Sequence, residues 1–146
     1  MKILVINGPN LNLLGRREPG IYGHKTYGEL IGAIETWARD LAMEVDCFQS
    51  NHEGAIIDKI QEAPGQFDAI ILNAGGYTHS SVAILDALLA VALPAVEVHL
   101  SDPATREPFR RISYPAQACE ISYSGLGFEG YHRALLYLKD RLARRP

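Results

Sequence analysis

The sequence predicts an α/β fold on a five-stranded parallel sheet, and three observations carry that prediction. Short apolar runs recur along the chain, helical patterns fall between them, and two helix starts show capping-box spacing. The strand-like runs are residues 3–6, 45–49, 69–72, 95–98 and 118–122. The helical patterns are residues 27–42, 53–63, 82–92 and 129–143. Strands alternating with helices form right-handed βαβ units, which place helices on both faces of the sheet. The expected architecture is a flavodoxin-like three-layer sandwich with strand order 2-1-3-4-5. With no repeat, low-complexity tract or linker in the 146 residues, the chain reads as one domain.

Each element has its own warrant. Ile3-Leu4-Val5-Ile6 is far too short for a signal peptide and reads as the first strand. Thr26-x-x-Glu29 and Ser50-x-x-Glu53 are capping-box signals for the first two long helices. The helix from Val82 is apolar on every side, with Asp86 its only charge. Such a helix must be covered all round, by a second subunit or by deep burial in a monomer. In so small a fold the first option is preferred, so a homo-oligomer is expected. The basic ending, Arg141, Arg144 and Arg145, complements the C-terminal end of the last helix.

Composition narrows the functional classes. Hydrophobic residues make up 47% and charged residues 21%, ordinary for a globular protein. A net charge of −3 disfavours a general nucleic-acid binder. Nothing approaches the roughly 18 consecutive apolar residues of a membrane span, so the expected location is the cytoplasm. Cys47 and Cys119, without CxxC spacing, read as buried thiols in separate strands. The histidines (His24, His52, His79, His99 and His132) lack close ligand spacing, and no metal site is expected.

In an open parallel sheet, ligands bind beyond the carboxyl ends of the strands, near the switch in strand order. Polar and glycine-rich segments follow the strands here: Asn7-Gly8-Pro9-Asn10, Gln49-Ser50-Asn51-His52, Asn73-Ala74-Gly75-Gly76 and Leu100-Ser101. On the fourth strand, Glu97 and His99 project to one face and Val96 and Val98 to the other. A carboxylate beside an imidazole fixes its tautomer and favours its protonated form; taken alone, the pair reads as a structural ion pair at the strand end. The loop from Gly15 to Gly23 holds Arg16, Arg17 and Tyr22, in the manner of a lid. Lowering a tyrosine from about 10 to near 7 takes about 4 kcal/mol. One guanidinium about 4 Å away supplies about that much at an effective dielectric of about 20. Taken alone, the same residues read as a packed Tyr22 and a solvated Arg17. Gly125-Leu126-Gly127-Phe128-Glu129-Gly130 fits GxGxxG but comes after the last strand, so it reads as a strand-to-helix turn rather than a dinucleotide fingerprint.

Together these segments resemble a known family. Asn7-Gly8-Pro9-Asn10-Leu11-Asn12-Leu13-Leu14-Gly15, then Arg17-Glu18-Pro19 and Tyr22-Gly23, is similar to the N-terminal signature of type II 3-dehydroquinate dehydratases. The resemblance continues through Phe48 to Gly54, Tyr77 to Ala83, Glu97 to Ser101, Arg106-Glu107-x-Phe109-Arg110, Gly125-Leu126-Gly127 and Gly130-Tyr131. It implies conversion of 3-dehydroquinate to 3-dehydroshikimate in the shikimate route, with no metal, Schiff base or other cofactor. By resemblance, Tyr22 is the base and Arg17 holds it as phenolate. Asn10 positions a water for the enolate, and His99, oriented by Glu97, is the acid. Asn73, Ser101 and the amides of Leu100 and Ser101 would bind the substrate carboxylate, while His79 and Arg110 would contact ring hydroxyls. Asp86 would reach a neighbouring subunit's site, in a dodecamer built from trimers. Asp102-Pro103, Gly20 and Gly76 depart from the family pattern and bear on lid and affinity.

The rival reading is a non-catalytic flavodoxin-like binding or regulatory module. It would require neither the arginine–tyrosine lid nor the Glu97–His99 pair. A flavin carrier would show a Ser/Thr-rich phosphate loop after the first strand, where this chain has Asn7 to Asn10.

Overall fold

Alternation along the strands decides which way each side chain faces, and so which helices can cover the sheet. The computed structural model describes residues 1–16, 18–22 and 24–144, with the backbone alone for Pro19 and Tyr22. Strand β1 (Lys2–Asn7) points Ile3 and Val5 to one side and Leu4 and Ile6 to the other. Helices α2 (Tyr27–Asp40) and α5 (Glu129–Ala143) cover the first side, through Leu30, Ile34, Ala134, Leu135 and Leu138. Helices α3 (Glu53–Glu62) and α4 (Val82–Val91) cover the second, through Ile56, Ile60, Ile84 and Leu88.

The sheet is completed by β2 (Glu44–Gln49), β3 (Ala69–Asn73), β4 (Ala95–His99) and β5 (Ile121–Ser124). All pairings are parallel and the order is β2-β1-β3-β4-β5, as the sequence predicts. The register brings Asn7 beside both Gln49 and Asn73 at the carboxyl edge. It also sets Ser122 beside Glu97 and Ser124 beside His99.

Two local expectations are corrected. The fifth strand begins at Ile121 rather than at residue 118, because Pro115–Ala118 forms a 3-10 turn. Proline starts that turn, Ser113 Oγ accepts from the Ala116 N–H at 3.2 Å, and pairing with β4 resumes only where the Glu120 N–H donates to Ala95 O at 2.8 Å. Cys119 therefore lies before the strand, packed against the α3–α4 side, and both cysteines are only partly buried. Second, Ser50 is not the cap of α3. His52 holds that position in extended backbone, and Ser50 Oγ accepts the His52 N–H at 3.0 Å, closing a small turn across Asn51. At α2 the capping box is present as the spacing predicts, with Thr26 and Glu29 bonding reciprocally.

The GxGxxG stretch is the turn from β5 into α5. Gly125 and Gly127 have φ of +75° and +57°, and their N–H groups donate to Ser101 and Leu100 carbonyls. A side chain would strain both positions. The turn therefore anchors the segment that follows β4.

Candidate active site

The carboxyl ends of β1, β3 and β4 surround one cleft. Its lining includes Asn10, Asn73, His79, His99, Leu100 and Ser101, together with Arg106 and Arg110. The sequence-predicted residues Asn10, Asn73, His79, His99, Leu100, Ser101 and Arg110 therefore come together. Two guanidinium groups beside two imidazoles suit a small anionic ligand, even in a chain of net charge −3.

The β1 side is held by short polar links. Asn10 sits at φ +69°, a left-handed conformation that asparagine tolerates, and its N–H donates to Asn51 Oδ1 at 3.0 Å. Asn51 is itself fixed, because Gln49 Nε2 donates to its Oδ1 at 3.1 Å and the Tyr77 hydroxyl to its carbonyl at 2.8 Å. The loops after β1, β2 and β3 are thus tied together at Asn51.

Beneath the cleft lies a buried polar network. The Tyr131 hydroxyl donates to Asn7 Oδ1 at 2.6 Å and accepts from Asn73 Nδ2 at 3.0 Å. Asn73 Oδ1 accepts the Gly75 N–H at 3.2 Å, and Asn73 lines the cleft. Burial, offset in part by the Asn73 hydrogen bond, keeps the Tyr131 phenol far above its ordinary range, so it acts as a neutral connector.

The β4 side carries the acid–base pair. Glu97 is 2% exposed and His99 8% exposed. His99 Nε2 lies 3.2 Å from Glu97 Oε1, and His99 lines the cleft. Ser122 Oγ donates to Glu97 Oε1 at 2.8 Å, and Ser113 Oγ donates to Oε2. Burial pushes the Glu97 carboxyl up. The hydrogen bond and charge of His99, with the Ser113 and Ser122 hydroxyls, outweigh it and hold the group below the usual carboxylate range. Across the cleft, His79 Nδ1 is 2.8 Å from Ile112 O. A carbonyl only accepts, so Nδ1 carries the hydrogen and Nε2 is the atom left to a ligand. Arg110 spends its Nε on Glu107 Oε2, at 2.6 Å.

Comparison with known proteins decides the family. The model of the family described as "Dehydroquinase class II" matches residues 1–139. The chain belongs to that family. The 3-dehydroquinate dehydratase of Thermotoga maritima is 49% identical over 142 residues, covering 97% of each chain. A catabolic 3-dehydroquinase of Verticillium alfalfae is 49% identical, covering 97% of this chain and 98% of its own. The crystal structure of type II dehydroquinase from Butyrivibrio crossotus superimposes with a TM-score of 0.92 at 49% identity, covering 96% and 97% of the two chains.

In this dehydroquinase-family chain, the predicted site residues with described side chains that do not line the cleft are Glu97 and Asp86. Arg17 and the Tyr22 side chain lie outside the described residues, and the lid reading falls on them. Their segment does contain a short helix, α1 (Pro19–Tyr22), and Glu18 Oε2 just before it is 3.8 Å from Arg106 Nη2 at the rim. Asp86 is exposed on the outer side of α4. Sequence reasoning assigned no role to Ser113 or Ser122. Neither sits in a charged or glycine-rich motif; only the β4–β5 register and the Pro115 turn reveal them. Asn7 and Tyr131 belong to matching motifs, but their mutual contact joins positions 124 apart and no local pattern predicts it.

Proposed function

We propose that this chain dehydrates 3-dehydroquinate to 3-dehydroshikimate, as its family membership implies. The observation that carries the reading is the buried Glu97–His99 pair opening on a cleft rimmed by Arg106 and Arg110. Removing water beside a ketone requires a base for the acidic C–H, stabilisation of the resulting enolate, and an acid for the departing hydroxyl. In the proposed sequence Tyr22, held as phenolate by Arg17, takes the proton from the carbon next to the carbonyl. The electron pair moves to the carbonyl oxygen, where a water positioned by Asn10 stabilises it. Collapse of the enolate then breaks the carbon–oxygen bond as His99, oriented by Glu97, protonates the hydroxyl and releases water.

Asn73, Ser101 and the amides of Leu100 and Ser101 take the substrate carboxylate in this reading, and His79 and Arg110 take ring hydroxyls. The proposed assembly is a dodecamer of trimers in which Asp86 reaches the neighbour's site. Support for an oligomer comes from the outer side of α4, where Val82 is 49% and Leu89 58% exposed beside Asp86. The proposed location is the cytoplasm; among the described residues no helix is long and apolar enough to cross a membrane.

The test is ultraviolet absorbance of the purified protein with 3-dehydroquinate, following formation of the conjugated enone, with chelator and borohydride controls. Product insensitive to both supports the proposed chemistry. A folded protein that forms no product overturns it.

A further inference from the structure

We propose that Ser113 and Ser122 are positioning residues that clamp the Glu97 carboxylate and, through it, orient His99 for proton donation. The inference rests on the function proposed above. Ser122 is the cross-strand neighbour of Glu97, and its Oγ donates to Oε1 at 2.8 Å. Ser113 comes from the loop before the Pro115–Ala118 turn, and its Oγ donates to Oε2. The Ala116 N–H donates to Ser113 Oγ at 3.2 Å, so that oxygen is already serving as an acceptor and its hydrogen turns to Glu97. His99 Nε2 completes the set, 3.2 Å from Oε1.

Three donors converging on one carboxyl select its ionised form, because a carboxylate accepts only, whereas a neutral acid must itself donate. Burial alone would favour the neutral acid. Once neutral, Glu97 would lose its attraction for a protonated His99 and compete with it as a donor. Other titratable groups surround the pair. Cys119 packs before β5, with its thiol pushed up to about 12 by burial and by Glu97. His79, Asp102, Arg110 and Arg111 line the same side. The serines differ from these in touching the carboxylate oxygens directly.

The experiment is the pH profile of kcat for Ser122→Ala and Ser113→Ala, with Ser122→Thr as the conservative control. Losing one charge-assisted hydrogen bond should raise the Glu97 pKa, moving the low-pH limb upward by about one pH unit. Ser122→Thr, which keeps the hydroxyl, should restore the wild-type limb. Ser113→Ala also removes the acceptor for the Ala116 N–H, so Ser122 is the cleaner position. In parallel, a carbon-13 NMR titration of the Glu97 carboxyl in ligand-free protein reads the clamp without turnover, assigned with Glu97→Gln. A matching upward shift supports the proposal. Unchanged limbs and an unchanged carboxyl titration, or a uniform loss of activity without any shift, overturn it. A wild-type protein that forms no product, with serine variants that still shift the Glu97 carboxyl titration, refutes the proposed reaction and leaves the clamp standing.

Discussion

At the scale of single residues, the Glu97 carboxylate is favoured where burial alone favours the neutral acid, and its stability contribution has a definite sign with pH. Its folded pKa lies below the ordinary carboxylate value, despite burial, because His99 and two serine hydroxyls favour the charged form. A depressed pKa stabilises the fold above the unfolded value, about 4.3, and that contribution fades as pH falls through the folded value. Urea midpoints measured from pH 7 down to pH 3 should therefore fall more steeply for wild type than for Glu97→Gln. Parallel curves would contradict the assignment. For the reaction, Tyr22→Phe should abolish turnover while still binding substrate, and His99→Ala should block elimination while permitting proton exchange at the acidic carbon. Enone absorbance and deuterium incorporation check the two; normal turnover in either variant removes that residue from its proposed role. The chemistry-bearing residues were legible because type and placement coincide, as with Glu97 and His99 at alternate positions near a strand end. Their supporting hydroxyls were not, since a serine in a strand says nothing until its cross-strand neighbour is known.

Elements show where local signals suffice and where tertiary contacts override them. The capping box at Thr26 operates within four residues, and the spacing alone identifies it. Thr26→Ala should cost about 1 kcal/mol in a chemical-denaturation measurement. The similar spacing at Ser50 misleads because Ser50 instead closes a turn that presents Asn51 to Asn10 and Tyr77. The sequence starts the fifth strand too early because Ala118 and Cys119 are apolar like Ile121, whereas a proline-led turn ending at Ala118 packs both residues against the α3–α4 side. On α4, alternating burial separates Ile84, Leu85, Ala87 and Leu88 from an outward side carrying Val82 and Leu89. Leu89→Glu should lower the solution mass by light scattering toward one chain of 16.1 kDa, from a multiple of it in the wild type. A wild type already at one chain would refute the proposed assembly.

For the molecule as a whole, strand order followed from the alternation of strands and helices because a parallel sheet of this size admits few right-handed connections. The joining of distant segments beneath the cleft was not legible, since the hydroxyl that donates to Asn7 arrives only with the last helix. That partner, Tyr131, has consequences for the order of events during synthesis. A ribosome delivers the strands before α5, so a growing chain holds Ile71, Val96 and Val98 without the helix that covers β3 and β4 on that face until α5 emerges. The cleft and the fold's last layer are finished by the same stroke of translation. Chains arrested before residue 129 should be cut rapidly by protease on the ribosome, whereas released full-length chains resist; equal resistance would show that the sheet closes without its final helix.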